Sequence, residues 1–547
     1  MKSNKLRKVC AVALTLALGA SIFTGCGNSD SKEDTGRKLI YNLGADPETI
    51  DPTLNTASDS GSIIDNAFEG LMKLDENEKA VPGVAEKMEV SEDNLVYTFT
   101  LREDAKWSDG EPVTAKNFEY SWIRAISKET AAEYNYQLFY IKNAEKFYNG
   151  EATREEVGIE VIDDNTLKVT LEAPTAYFPE LTSFTTYMPL REDVVSADPE
   201  GWATNPETYV SNGAFKLVQW DLKDQLVFEK NEHYWNADEV KIPGIVWKLV
   251  TDQNTAYASL KAGDFDAVHS VPIAEIENGQ SEGLVTIYPN LGTYMLVLNV
   301  GKQDTLDEDV KKALSNSKVR KALALAINRE AITTNVTKGG QIPAYSFVPE
   351  GIPNANGQDF ADRKYYDANS ANIEEAKKLL AEAGYPNGEG LPTLEFMYNT
   401  EGDHKLIAQA IQQDWAQIGV NVELTNQEWK VFLNTRQEGG YEIARHGWLG
   451  DYVDPMTFLD LWVTGGGNND AGYSNSEYDK LVSDAKVEED ADKRWELMKK
   501  AEDILMEDMP IIPIYYYTQV KAANKDVQGI RVSSLGHVYL QDAYFVE

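Results

Sequence analysis

Residues 447–455 read GWLGDYVDP and directly follow YEIARH. This stretch sets a broad aromatic, Trp448, and two acids, Asp451 and Asp454, among the glycines Gly447 and Gly450, with Arg445 and His446 just before them. An aspartate can hold an ammonium group, and an arginine can hold a carboxylate through a forked pair of hydrogen bonds. A strand that ends in a glycine-rich bend exposes backbone N–H and C=O groups to a partner. The preceding WKVFLNTRQEGG adds Trp429 and Arg436. The combination suits a ligand charged at both ends. Two blander readings stand beside it. The acid pair of DYVD could serve glycoside hydrolysis, though a chain with 89 acids produces such pairs by chance. On these residues alone, an ordinary salt bridge from Arg445 to a glutamate, with the tryptophans in a core, is the simpler account.

Other catalytic chemistry finds little support. The chain has no G-x-S-x-G elbow, P-loop, H-E-x-x-H or complete EF-hand loop. Its five histidines are scattered from His233 to His537. No metal, cofactor or enzymatic activity is expected.

The elements that must carry these residues alternate between strand and helix. NLVYTFTLR (94–102) has the period of a half-buried strand. Thr114 is placed to cap a helix running through Phe118, Trp122 and Ile126. TDQNTAYASLKAGDFDAV reads as cap, helix, glycine stop and strand, SKVRKALALAINREAI as one strong helix, and Asn372 with Glu375 as a capping-box-like start to IEEAKKLLAEAGYP. HKLIAQAIQQDWAQIGVNVEL is helix then strand, and TLKVTLEAP, YEIARHGW and IIPIYYYTQV are further strands. This order implies more than one α/β domain, as does a length of 547 residues.

The net charge of −38 argues against a nucleic-acid partner, whose phosphates need a basic face. The N-terminus differs from the rest. Lys2, Lys5, Arg7 and Lys8 precede a run from Val9 to Phe23 that is almost wholly apolar or small, which suits a secretory signal better than a membrane span. FTGC, ending at Cys26, resembles the lipobox of bacterial lipoproteins, with Phe23 where leucine is usual. The resemblance implies lipidation of Cys26 after removal of residues 1–25, and a polar tether over 26–37. Cys10 leaves with the signal, so no internal disulfide is expected.

Several segments resemble the extracytoplasmic oligopeptide-binding proteins of ABC transporters, the large solute-binding family. They include DPETIDPTLNTASDSGSIIDNAFEGLM, YTFTLREDAKWSDGEPVTAKNFEYSW, YVSNGAFKLVQW, EKNEHYWN and SKVRKALALAINRE. The most specific is QEWKVFLNTRQEGGYEIARHGWLGDYVDPMTFLDLW. The resemblance implies a two-lobed, hinged α/β fold of the type II periplasmic-binding-protein kind. It places lobe I at 27–68, 190–291 and 519–547, an extra domain at 69–189 and lobe II at 292–518. It implies that Asp451 receives the ligand's α-amino group, and that Arg436, Arg445 and His404 meet its carboxylate. Trp429, Trp448 and Tyr517 would wall the pockets. Gly447 to Leu449, and Thr56, Ala57 and Ser58 opposite, would pair with the ligand backbone. Met295 stands where the family has a tyrosine, and Lys338 does not align cleanly with a pocket lysine. The expected protein is a monomeric lipoprotein on the extracytoplasmic face of the cell membrane, handing oligopeptides to an ABC permease. The same fold could serve dipeptides, cell-wall peptides, nickel complexes, haem or oligosaccharides. A secreted carbohydrate-active enzyme is the rival of a different class.

Overall fold

The computed structural model describes residues 36–354, 356–400 and 403–546. The expected signal sequence, Cys26 and the expected tether as far as Thr35 lie outside them. Arg37, assigned to the tether, pairs with Asp266 and lies over the Phe545 ring at 4.4 Å, so it is already part of the folded body.

One eleven-stranded mixed sheet organises the molecule. At one end the strands Val422–Gln427, Leu394–Asn399 and Ile443–Leu449 lie side by side. At the other end lie Leu39–Asn42, Gly244–Lys248, Gln225–Lys230 and Phe215–Asp221. Two long antiparallel strands, Val285–Leu298 and Ile511–Ala523, join the halves. Their ladder shifts register between Pro289 and Thr293, and again between Tyr294 and Met295. Such bulges bend and twist a strand pair locally. The buried IIPIYYYTQV run explains why one of these strands lacks polar alternation over its first half: it is covered on both faces there. A separate four-stranded antiparallel sheet is built from Ala85–Val90, Val96–Leu101, Thr166–Thr170 and Ile159–Asp163.

Local signals act as their chemistry dictates. Asp252 accepts a hydrogen bond from the Thr255 N–H at the head of the Gln253–Ala262 helix, which Gly263 ends at φ +84°. Asn372 caps Ile373–Glu382 through the Glu375 N–H. Thr114 and Asn117 form a reciprocal capping box for Ala115–Ala125. SKVRKALALAINREAI departs from the expected single helix. It breaks after Leu325, and Asn328 caps a new turn, Arg329–Ile332, by accepting from the Ala331 N–H. The new direction buries the Arg329 guanidinium, whose Nε and Nη1 donate to the carbonyls of Pro513 and Ala324.

Candidate functional site

The Ile443–Leu449 strand carries the site. On one edge it pairs antiparallel with Val285–Leu298, from Leu449 opposite Gly292 to Ile443 opposite Leu298. On the other edge its parallel ladder with Leu394–Asn399 stops at Ala444. Arg445 to Leu449 therefore has no strand on that side among the described residues. This open edge is about 13 Å long, roughly the length of four extended residues.

The backbone here is shaped by glycine. A Cβ on Gly447 would lie 2.2 Å from Tyr517 Oη, and one on Gly292 would lie 2.6 Å from the Trp448 carbonyl oxygen. Gly447 lets the Tyr517 ring close on the strand, and Gly292 lets the neighbouring strand approach the Trp448 backbone. Trp448 Nε1 is buried without a hydrogen-bond acceptor.

After Leu449 the chain turns, with the Gly450 N–H donating to the Leu291 carbonyl at 2.7 Å. The three residues beyond it have different fates. Tyr452 stacks on Tyr177 at 4.4 Å, with the rings 8° from parallel. Asp454 receives both Arg494 terminal nitrogens at 2.7 and 2.8 Å, and the Met456 N–H as well. Those contacts fix the loop and leave Asp451 as the acid turned to other use. Its Oδ2 accepts only from Gln137 Nε2, at 2.9 Å, and its N–H donates to Thr457 Oγ1. Gln137 is itself held by the Tyr187 hydroxyl, which donates to its carbonyl at 2.6 Å. No lysine, arginine or histidine pairs with Asp451 among the described residues. Burial pushes its carboxyl up to about 7, with the Gln137 hydrogen bond opposing only part of the shift.

Asp451 and Leu449 border a cavity of about 510 Å³. Thr56, Ala57 and Ser58 border it too, whereas of the facing segment Gly447 to Leu449 only Leu449 does. The Thr56–Ser58 turn is held from behind. Arg124 clamps the buried Asp51 with bonds of 2.9 and 2.7 Å, the Asp51 carbonyl accepts the Asn55 N–H, and Asn55 Oδ1 accepts the Ala57 N–H. Tyr134, Glu180 and Phe184 form another part of its wall. Nothing in the sequence marked these three or Gln137, because they come from a segment distant in the chain.

The basic residues gather elsewhere, around Arg445 and away from this cavity's lining. Arg445 Nε and Nη2 lie 3.3 and 3.0 Å from His404 Nε2. Burial, reinforced by Arg445, holds the His404 ring down to about 4. The ring is therefore neutral at pH 7, Nε2 accepts from Arg445, and Nδ1–H is left to donate to the Tyr294 hydroxyl at 3.2 Å. The Arg445 guanidinium also lies 5.4 Å from the Trp429 ring and 5.7 Å from the Tyr294 ring. No described salt bridge includes Arg445. Trp429 is 38% exposed and stacks on Phe432. Arg436 differs from the expectation of an open cation. It is buried, and its Nε donates to Asp470 at 2.6 Å, an acid that His446 also faces at 3.4 Å. A ligand carboxylate would have to share it with Asp470. Met295 is fully buried in the core, and Lys338 is an exposed residue at φ +53°.

No group of three or more metal-ligating side chains occurs among the described residues. Among the described residues the site thus has a half-buried acid without a cation at one end, an arginine without an acid at the other, and an open strand edge with aromatic walls between them. Residues 79–470 match the model of the bacterial extracellular solute-binding proteins, family 5, middle region. The chain is 38% identical to the oligopeptide-binding protein OppA of Bacillus subtilis, over 97% of each chain. It is 34% identical to the periplasmic oligopeptide-binding protein OppA of Salmonella typhimurium, over 98% of this chain and 96% of the other. The solved structure of Listeria monocytogenes OppA bound to peptide superposes with a TM-score of 0.77 at 32% identity, covering 94% of this chain and all of the other. The fold is the mixed α/β, two-lobed one of such proteins. The chain belongs to the family 5 bacterial extracellular solute-binding proteins.

Proposed function

We infer that this protein captures oligopeptides between its lobes and delivers them to an ABC permease, without chemical change to the ligand. The observation that carries the reading is Asp451, a half-buried carboxyl with no cation beside it among the described residues, just past the end of a strand whose outer edge is open. A peptide's α-ammonium supplies the missing cation. Its backbone can add to the open edge, which gives affinity independent of side-chain identity. Arg445, with Trp429 and Tyr294 against its faces, is the group offered to the carboxylate end. Relatives that carry oligopeptide-binding names, and the peptide-bound Listeria structure, support the same ligand class. A sugar or a metal complex would use neither charged end.

A receptor of this kind closes on its ligand by hinge motion. The register shifts around Pro289–Thr293, next to the Ile511–Ala523 strand, suit a hinge, near the boundaries at 291/292 and 518/519 drawn from the sequence. The extra domain proposed at 69–189 supplies Gln137 and Tyr134, so it takes part in the amino-end pocket.

Cys26 would carry the lipid that holds the body on the extracytoplasmic face of the membrane. One acyl chain gives only marginal attachment, so several are required. The reading is tested by denaturing the purified protein and identifying released ligands by mass spectrometry. Oligopeptides are expected; a sugar, haem or metal complex would overturn it. Release of Cys26→Ala protein into the medium tests the anchor, and a mutant that stays attached and normally processed would contradict it.

A further inference from the structure

The cavity beside Asp451 is strongly acidic. Asp59, Asp65, Glu78, Glu180 and Asp451 border it, with no lysine or arginine among its lining residues. Its two histidines are in different states. His537 is committed to Asp65, with Nδ1 2.6 Å from Oδ2. His269 instead meets a lysine: Lys521 Nζ lies 3.0 Å from both of its ring nitrogens.

Lys521 stands on the Ile511–Ala523 strand, opposite Thr286. Its neighbours Val520 and Ala522 pack into the small hydrophobic cluster of Tyr257, Leu260 and Val268, so Lys521 projects from the other face. It is 8% exposed. No described salt bridge gives it an acid. Burial pulls the ammonium down to about 7. Burial, with Lys521 beside it, takes the His269 ring to about 3. Lys521 also borders a second cavity of about 250 Å³. The pair therefore sits where the two hollows approach each other. A buried cation without an acid is costly, and an arriving carboxylate removes that cost. Elsewhere on the wall of this cavity a carboxylate would meet like charges.

We propose that His269 and Lys521 form a subsite for a ligand carboxylate, either an acidic side chain or the chain end of a very short peptide. The inference rests on the peptide-binding reading above. His269 is the half-buried member that a ligand reaches first; the bare nitrogen of its neutral ring accepts from Lys521, and the protonated one, which cannot accept, donates to the carboxylate. Lys521 supplies the charge behind it.

The test is calorimetry at pH 7 on the full chain freed of bound ligand. The probes are dialanine, tetra-alanine and tetra-alanine with a single Glu or Gln at each position, all as free acids and C-terminal amides. The expected result is a preference of about tenfold or more that disappears in both Lys521→Met and His269→Gln. If it is for Glu over Gln at one position, a side chain is the source; if for free dialanine over its amide, the chain end is. Lys521→Met removes a buried cation and should melt no lower than wild type, so its binding data remain readable. Peptides that bind with no carboxylate preference, or a preference that survives both substitutions, would overturn the subsite alone. Binding of none of the probes would overturn the peptide reading and the subsite with it.

Discussion

Lowering the pH from 7 to 5 perturbs Asp451 without changing the charge of the basic residues around Arg445. The ligand-free carboxyl titrates at about 7 because it is buried. In the complex the peptide ammonium favours the ionised form, so the bound-state value falls well below 7. Binding of a free amino terminus then requires loss of the Asp451 proton. Half the carboxyls are ionised at pH 7 and about one in a hundred at pH 5, so affinity should fall about 50-fold between them, or roughly 2.3 kcal/mol. An N-acetylated peptide should show the opposite slope. It buries the carboxyl further and brings no cation, so it favours the protonated form and binds less well as pH rises through 7. For stability the sign is likewise fixed. The folded-state value is raised, so the folded protein binds more protons between about 4 and 7 than the unfolded chain, and Asp451 destabilises the ligand-free fold increasingly as pH rises through that window. Asp451→Asn should therefore raise the melting temperature above pH 7 while abolishing both pH slopes. His404 and His446, held near 4 by burial first, and His269, near 3, stay neutral over the range, and the Asn variant controls for His537 and for Lys521 and Glu502, which burial brings to about 7. The assay is calorimetry in buffers of differing ionisation enthalpy, which also counts the released proton. Equal affinities at pH 5 and 7 for a free peptide, or the same slope for free and acetylated peptides, would refute the reasoning.

Other substitutions separate roles within the site. Arg445→Met should weaken free-acid peptides by about 10- to 100-fold, the scale of one charge-assisted contact, and amidated peptides much less; calorimetry giving equal losses would remove Arg445 from carboxylate recognition. Gly447→Ala should push Tyr517 off the strand, costing about 1–3 kcal/mol of binding or stability from overpacking; unchanged melting and affinity would show that the strand relaxes freely. Arg494→Met should leave Asp454 buried and unpaired and destabilise the protein by about 3–5 kcal/mol in denaturant melts; a shift below 1 kcal/mol would show that the loop does not depend on this pair.

The sequence made the carrying strand visible as the candidate YEIARHGW, with a glycine-rich bend to mark its end. It could not assign the two acids of DYVD. Asp454 and Asp451 sit three positions apart with the same chemistry, and only the fold brings Arg494 to one and Gln137 to the other. Arg436 looked as open as Arg445 for the same reason: Asp470, which takes it, is 34 positions away and carries no local signal. Some helix starts were legible from a capping side chain, as at Thr114, Asp252 and Asn372. The break at Asn328 has the same kind of signal, but a strongly helical run on one side masked it. His269 and Lys521 are unremarkable in sequence, and their partnership is a product of strand pairing across 252 positions.

The most direct measurement is a crystal structure of the protein with a defined unmodified peptide. The peptide should lie extended between Thr56–Ser58 and Gly447–Leu449, with its α-ammonium within about 3 Å of an Asp451 carboxylate oxygen. A peptide bound in the reverse direction, or one whose amino terminus lies away from Asp451, would contradict it.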